Sequence, residues 1–284
     1  MGIAFKVENL RFRYPSSKED TIKGISFDIR EGEVFGFLGP SGAGKSTTQK
    51  ILIKLLEDYA GNIEYFGKNL KALDKSFYEE IGVGFEMPVH FTKLTALENM
   101  KFFSGFYRQT ANIQDLMERV GLWDYRDVKV GEFSKGMKVR LNFVRALLNK
   151  PRVLFLDEVT NGVDPRNARI IKDMIAEFRD RGGTVFLTTH LMNDVEELWA
   201  ILKSGWGLLR VGRQQMNAND KGIPGPHIEE ILFTVGGSGD TPCVASPLGG
   251  KNTRCSTLRM ILKSIWSIFL GRYINEIERK VCEC

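Results

Sequence analysis

Apolar and polar residues alternate along residues 3–9 (Ile-Ala-Phe-Lys-Val-Glu-Asn) and 25–30 (Ile-Ser-Phe-Asp-Ile-Arg), with a similar pattern over 62–66. A period of two is that of a half-solvated antiparallel strand, so a small β-layer is expected here. Three other runs are almost wholly apolar: residues 33–38 (Glu-Val-Phe-Gly-Phe-Leu), 153–158 (Val-Leu-Phe-Leu-Asp-Glu) and 184–189 (Thr-Val-Phe-Leu-Thr-Thr). Runs of this length and composition fit strands buried on both faces. Helical spacing takes over between them. Residues 47–56 predict one helix. Leu97, Met100, Phe103 and Phe106-Tyr107, then Ile113, Leu116, Met117 and Val120, then Val139, Phe143, Ala146 and Leu147 recur every three or four residues. An all-helical block is therefore expected over about 87–150, inserted between the residue 33–38 strand and the next core strand. Residues 168–181 predict an amphipathic helix closed by Gly182-Gly183.

Strands alternating with helices imply an α/β fold with a mostly parallel core sheet. Ligands of such sheets bind beyond the carboxyl ends of the strands. Gly39, Asp157 and His190 all follow predicted strands, so they are expected to meet around one ligand.

Residues 39–46 read Gly-Pro-Ser-Gly-Ala-Gly-Lys-Ser and fit G-x-x-x-x-G-K-[ST], the phosphate-cradling P-loop, in its required setting between strand and helix. The glycines let the backbone wrap a phosphate chain with N–H groups inward, and the helix N-terminus adds partial positive charge. The pattern assigns Gly39, Pro40, Ser41, Gly42, Ala43, Gly44, Lys45, Ser46 and Thr47 to the nucleotide. Lys45 reaches the β- and γ-phosphates, and the Ser46 hydroxyl ligates Mg²⁺.

With these motifs in order, residues 3 to about 198 resemble the nucleotide-binding subunit of ABC transporters, of the drug- and antibiotic-exporter type. The resemblance implies a P-loop NTPase cassette with a parallel core sheet, an antiparallel β-layer and an inserted helical subdomain, binding ATP and Mg²⁺. It matches Tyr14 to the aromatic that stacks on adenine; the residues alone leave Tyr14 open between stacking and ordinary packing. Glu86, in Gly84-Phe85-Glu86, stands where the family usually carries the Q-loop glutamine. A carboxylate there can ligate Mg²⁺ or orient water, and it adds negative charge near the γ-phosphate. Residues 133–137 (Phe-Ser-Lys-Gly-Met) match the signature loop, usually Leu-Ser-Gly-Gly-Gln, keeping Ser134 and Gly136 and departing at Lys135 and Met137. The family uses this loop on the γ-phosphate held by a second subunit. Asp157 and Glu158 match the Walker B pair: Asp157 for Mg²⁺, Glu158 as the base that positions water. Residues 161–164 (Asn-Gly-Val-Asp) match the D-loop, making Asp164 an inter-subunit contact. His190 matches the switch histidine.

The chain has 284 residues, 43 % of them hydrophobic and 26 % charged, ordinary values for a soluble globular domain. No apolar run reaches the length of a bilayer span, and the first residues are not expected to act as a signal peptide. The pore is accordingly expected to be a separate transmembrane permease, with the cassette on the cytoplasmic face of the membrane. Past residue 200 stand 11 Lys and Arg against 7 Asp and Glu, so this stretch supplies 4 of the net +5 charge and the front is nearly neutral. That balance gives no reason to expect nucleic-acid binding. All four cysteines (Cys243, Cys255, Cys282, Cys284) fall in the last 42 residues without zinc-site spacing.

After Glu197 the family pattern stops. The cassette is expected to span 1–198, and residues 199–284 to form an atypical tail. Two readings stay open for it: a change of reading frame near residues 198–200, or an appended module with a basic amphipathic helix over 258–281. Residues 236–257, rich in Gly, Ser, Thr and Pro, are expected to be linker or disordered. Loss of the family's next strands is expected to leave a sheet edge uncovered.

The expected function is ATP hydrolysis powering a membrane exporter through closure of two cassettes, identical or different. Two alternatives remain: a catalytically impaired regulatory subunit, or a soluble ABC ATPase without a transport role.

Overall fold

The structure, a computed structural model, describes residues 2–38, 42–87, 89–189, 208–213, 229–234 and 243–245. The alternating segments form an antiparallel sheet of β1 (Ile3–Phe12), β2 (Ile22–Arg30), β4 (Ala60–Tyr65) and the short β5 (Lys68–Asn69), in the order β2-β1-β4-β5. A register shift between Val7 and Leu10, with Asn9 at φ 49°, marks a bulge in β1. It returns Leu10 and Phe12 to the buried face that Phe5 and Val7 occupy.

The apolar runs form parallel strands: β3 (Val34–Leu38), β7 (Val153–Asp157) and β8 (Thr184–Thr189). Two further strands flank these three, β6 (Ile81–Gly84) beside β7 and β9 (Leu208–Arg213) beside β3, giving the order β9-β3-β8-β7-β6 over this part of the sheet. Both were unexpected. β6 reads Ile-Gly-Val-Gly, and its two glycines dilute the apolar signal. They serve packing instead: a Cβ on Gly82 would lie 1.9 Å from the Ala146 carbonyl oxygen, so the strand passes where only glycine fits beneath its helix. The helical block is therefore inserted between β6 and β7. β9 lies in the stretch set apart as a tail. It covers the edge of β3 that was expected to stand open, because β3 has backbone donors and acceptors on both sides to satisfy.

Helix α1 (Lys45–Leu52) follows β3, and the short α2 (Phe77–Glu80) precedes β6. The helical block contributes α3 (Ala96–Ser104), α4 (Ile113–Arg119) and α5 (Lys135–Leu147); α6 (Pro165–Asp180) joins β7 to β8. α3 opens with a capping box of Thr95 and Glu98 and ends at Ser104, sooner than expected. Phe106, placed on its apolar stripe by spacing, is 66 % exposed. α6 ends in a Schellman arrangement, with Gly183 N–H donating to the Phe178 carbonyl and Gly182 N–H to that of Arg179.

A band of phenylalanines ties the two sheets together. Phe27 stacks on Phe35 at 5.4 Å between ring centres, Phe35 on Phe186 at 5.9 Å, Phe186 meets Phe155 at 5.7 Å, and Phe155 meets Phe5 edge-on at 5.6 Å. All five are buried. Each such side chain contributes about 1.5–3 kcal/mol by leaving water. The band fixes the parallel strands from below and leaves their carboxyl ends to the site.

The chain divides into two units, residues 1–230 and 231–284. In the second, residues 232–234 of β10 (Glu229–Thr234) pair antiparallel with β11 (Cys243–Ala245), so part of the expected linker is a strand. Cys243 and Val244 carry β-propensity that the surrounding glycines and prolines obscured. The helix expected over 258–281 lies outside the described residues. Among the described residues no helix is long and apolar enough to cross a membrane.

Candidate functional site

The site is set by strand pairing. Leu38 pairs with Thr189 and Thr188 with Asp157, so the ends of β3, β8 and β7 come level on three adjacent strands. Neighbouring strands lie about 4.8 Å apart, which brings the loop after β3 and the acids after β7 to one edge. Gly39, Pro40, Ser41 and His190 fall on this edge by sequence and lie outside the described residues.

The described part of the loop has the form a phosphate cradle needs. Gly42 and Gly44 have φ 83° and 86°, and Gly44 is the N-cap of α1. No side chain caps this helix end, and no acidic residue stands in its first turn. The end of the helix therefore presents partial positive charge with no carboxylate of its own to offset it. Lys45 is the first residue of α1 and is buried; Ser46 follows it half-buried. Thr48 turns inward, with its hydroxyl on the Gly44 carbonyl at 3.0 Å. The Tyr14 hydroxyl lies 3.2 Å from Thr47 Oγ1, and its ring meets Phe12 edge-on at 4.8 Å. Tyr14 is thus brought to the start of α1, beside the phosphate loop.

Asp157 and Glu158 are 6 % and 7 % exposed. Each receives a hydroxyl from β8. Thr188 Oγ1 donates to Asp157 Oδ1, and Thr189 Oγ1 donates to Glu158 Oε2 at 3.2 Å. Glu158 has φ 51°, and its N–H donates to the Thr188 carbonyl at 3.0 Å. Neither threonine was singled out from the sequence. The available signal was a hydroxyl pair closing an otherwise apolar strand.

Ser46 and Asp157 offer hard oxygen donors of the kind Mg²⁺ takes. Among the described residues no three His, Cys, Asp or Glu side chains gather into a cage. A Mg²⁺ here would therefore take most of its remaining ligands from phosphate and water, which is the usual way of holding that ion.

Glu86 is exposed, two residues past the end of β6 on the same edge. The segment around it hangs from α5. Asn142 Nδ2 donates to the Phe85 carbonyl at 2.8 Å, Arg145 Nη1 to that of Val89 at 2.7 Å, and His90 Nε2 lies 3.2 Å from the Lys138 carbonyl. Positions 138, 142 and 145 share one helical face. Buried polar Asn142 on an apolar helix was the sequence signal for this clamp, and it was missed.

Ser134 is the N-cap of the same helix, with its Oγ accepting from Met137 N–H at 3.2 Å. A Cβ on Gly136 would lie 3.3 Å from the Gly162 carbonyl oxygen, so the signature-like loop packs on residues 161–164 of its own chain. Asp164 caps α6 through Asn167, accepting from its side chain at 2.6 Å and its N–H at 3.1 Å. These bonds, the side-chain one first, hold the Asp164 carboxyl below the usual carboxylate range.

Residues 22–161 match the family model described as ABC transporter. A fluoroquinolones export ATP-binding protein of Mycobacterium tuberculosis is 50 % identical over 194 residues, covering 68 % of this chain and 64 % of that protein. The bacitracin transport ATP-binding protein BcrA of Bacillus licheniformis is 36 % identical over 202 residues, 70 % of this chain and 65 % of its own length. The chain thus spans somewhat less than two thirds of these curated relatives. Among solved structures, the dimeric structure of MJ0796, a bacterial ABC transporter cassette, superposes with a TM-score of 0.64 at 25 % identity, over 74 % of this chain and 93 % of that one. A post-hydrolysis state of the same cassette, bound to ADP and Pi, gives 0.63. The fold, the phosphate loop, the paired acids and these likenesses converge: the chain belongs to the ABC transporter family and carries its cassette.

Proposed function

We propose that this chain is the ATP-binding and hydrolysing subunit of a membrane exporter, driven by closure of two cassettes. One observation carries the reading. Strand register brings the end of β3, which leads into the phosphate loop, level with the strand end that carries the buried acids Asp157 and Glu158. Bound ATP would lie with its phosphates at the N-terminus of α1. Lys45 neutralises charge on the β- and γ-phosphates. Ser46 and Asp157, with Glu86 as a third candidate ligand, would hold Mg²⁺, which would supply further neutralisation. Glu158 accepts a proton from water as the water oxygen bonds to the γ-phosphorus, and the bond from that phosphorus to the ADP oxygen breaks. His190 steadies the γ-phosphate. In phosphoryl transfer, such positioning and charge compensation account for most of the catalysis.

Within a single chain Gly136 packs against the 161–164 loop, while Ser134 stands exposed at the head of α5. Their contact with phosphate is supplied to a second cassette, and that cassette returns the favour; Asp164 lies at the same junction. The dimeric MJ0796 cassette supports this arrangement. A separate permease would dock on the helical block, where Met87, Val89, Phe91, Phe102 and Phe106 stand exposed. On this reading the subunit would sit on the cytoplasmic face of the membrane. The names of the relatives, export and transport ATP-binding proteins, support the direction outward.

Phosphate release and ATP affinity, measured with the permease present, test this. Lys45→Ala is expected to lose about 1.5–3 kcal/mol of ATP binding, the worth of a charged hydrogen bond. Glu158→Gln is expected to bind ATP and dimerise with turnover about 10²–10⁴-fold lower. Parent-rate hydrolysis by Glu158→Gln removes the assignment of the base.

A further inference from the structure

Thr189 raises a chemical question that packing does not answer. It is 2 % exposed at the end of β8. Valine has the same shape and suits a strand at least as well. Burying a hydroxyl costs about 1–3 kcal/mol unless it is hydrogen-bonded. Here it donates to Glu158 Oε2 at 3.2 Å. Glu158 itself follows β7 with its backbone in the left-handed region at φ 51°, which turns its carboxylate off the strand path. The neighbouring bond from Glu158 N–H to the Thr188 carbonyl holds the backbone of that turn. The Thr189 hydroxyl holds the carboxylate. Thr188 does the equivalent for Asp157, so the two acids are gripped separately. The next residue in sequence after Thr189 is His190.

We propose that Thr189 is a positioning residue for hydrolysis: its hydroxyl fixes the Glu158 carboxylate in the orientation that receives the proton of water. The proposal rests on Glu158 being the base. An O–H···O distance of 3.2 Å is long, as such bonds often are before the nucleotide binds, and it is expected to shorten in the closed site. A geometric role predicts loss in the chemical step and none in ATP binding.

The experiment is a double-mutant cycle on the full chain with its permease. Thr189→Val is expected to lower kcat about tenfold or more with KM for ATP unchanged, and Thr189→Ser to restore most of the parent kcat. In the Glu158→Gln background, Thr189→Val is expected to cause no further loss, because its effect passes through the carboxylate already removed. Thr189→Ala gives the same readout should the valine variant not fold, and thermal unfolding of each variant checks that the fold survives. The inference is overturned if Thr189→Val keeps the parent kcat while Glu158→Gln is inactive, if Thr189→Ser is as slow as Thr189→Val, or if Thr189→Val slows Glu158→Gln further. Parent-rate hydrolysis by Glu158→Gln alone sinks the functional reading instead, so the two failures are separable.

Discussion

His90 shows what burial does to a single titratable group in this molecule. Its ring is largely covered, its Nε2 lies 3.2 Å from the Lys138 carbonyl, and its buried Nδ1 has no hydrogen-bond partner among the described residues. Burial, reinforced by the charges of Arg145 and Lys138, pushes it down from 6.5 to about 4. Between those values the unfolded chain binds a proton that the folded chain refuses, so folding stability rises with pH across that window. The contribution is complete above about 6.5 and is lost as pH falls toward about 4. The melting temperature of the full chain, followed over that range, is expected to fall, and to fall less in His90→Gln. An equal decline in both would place the acid sensitivity elsewhere. At this scale the sequence was informative wherever chemistry demands a rare residue pattern. Lys45, Asp157 and Glu158 were legible because a phosphate loop and an acid pair after an apolar strand are uncommon. Thr188 and Thr189 were not, because a threonine on a strand is ordinary and its partner is named only by register across 31 positions.

At the scale of elements, hydrophobic period found the central parallel strands and missed β6, β9 and β10. β3, β7 and β8 are phenylalanine- and leucine-rich and announce themselves. β6 was hidden by glycines whose purpose is the close approach of α5. Gly82→Ala is accordingly expected to be severe. The added methyl would lie 1.9 Å from the Ala146 carbonyl oxygen and 2.9 Å from Pro151 Cγ, and the oxygen belongs to a helix backbone that cannot swing aside. A loss of about 1–3 kcal/mol, the usual cost of overpacking, is the least expected; chemical denaturation would read it as a lower midpoint. Unchanged stability would mean that α5 moves freely over β6. Helix lengths were blurred for a different reason. α3 stops at Ser104 with Phe106 left in solvent, so the apolar period ran on past the helix. The spacing that suggested a core stripe includes residues exposed on the helical block.

For the molecule as a whole, the order of layers followed from the motifs, while the limits of the cassette did not. The parallel sheet draws on β9, beyond residue 198, and residues 232–234 and 243–245 pair in a stretch whose composition suggested linker. Composition measures average solvation. It does not register a six-residue strand that finds a partner far away in the chain. Two readings of residues 199–284 stand, a shifted frame and an appended module, and the strand beside β3 is compatible with either. Sequencing across positions 198–200 discriminates them, since an uninterrupted frame leaves only the appended module.

The position of β3 has its own consequence. It is hydrogen-bonded on both sides, to β8 and to β9, and Phe35 and Phe37 pack into the aromatic band below. The strand that feeds the phosphate loop is therefore anchored on three sides, while residues 42–44 lie beyond its ladder. Deuterium uptake should separate them sharply: the amides of residues 34–38 are expected to be among the last to exchange, opening only with global unfolding, and those of residues 42–44 to exchange early and slow when ATP is added.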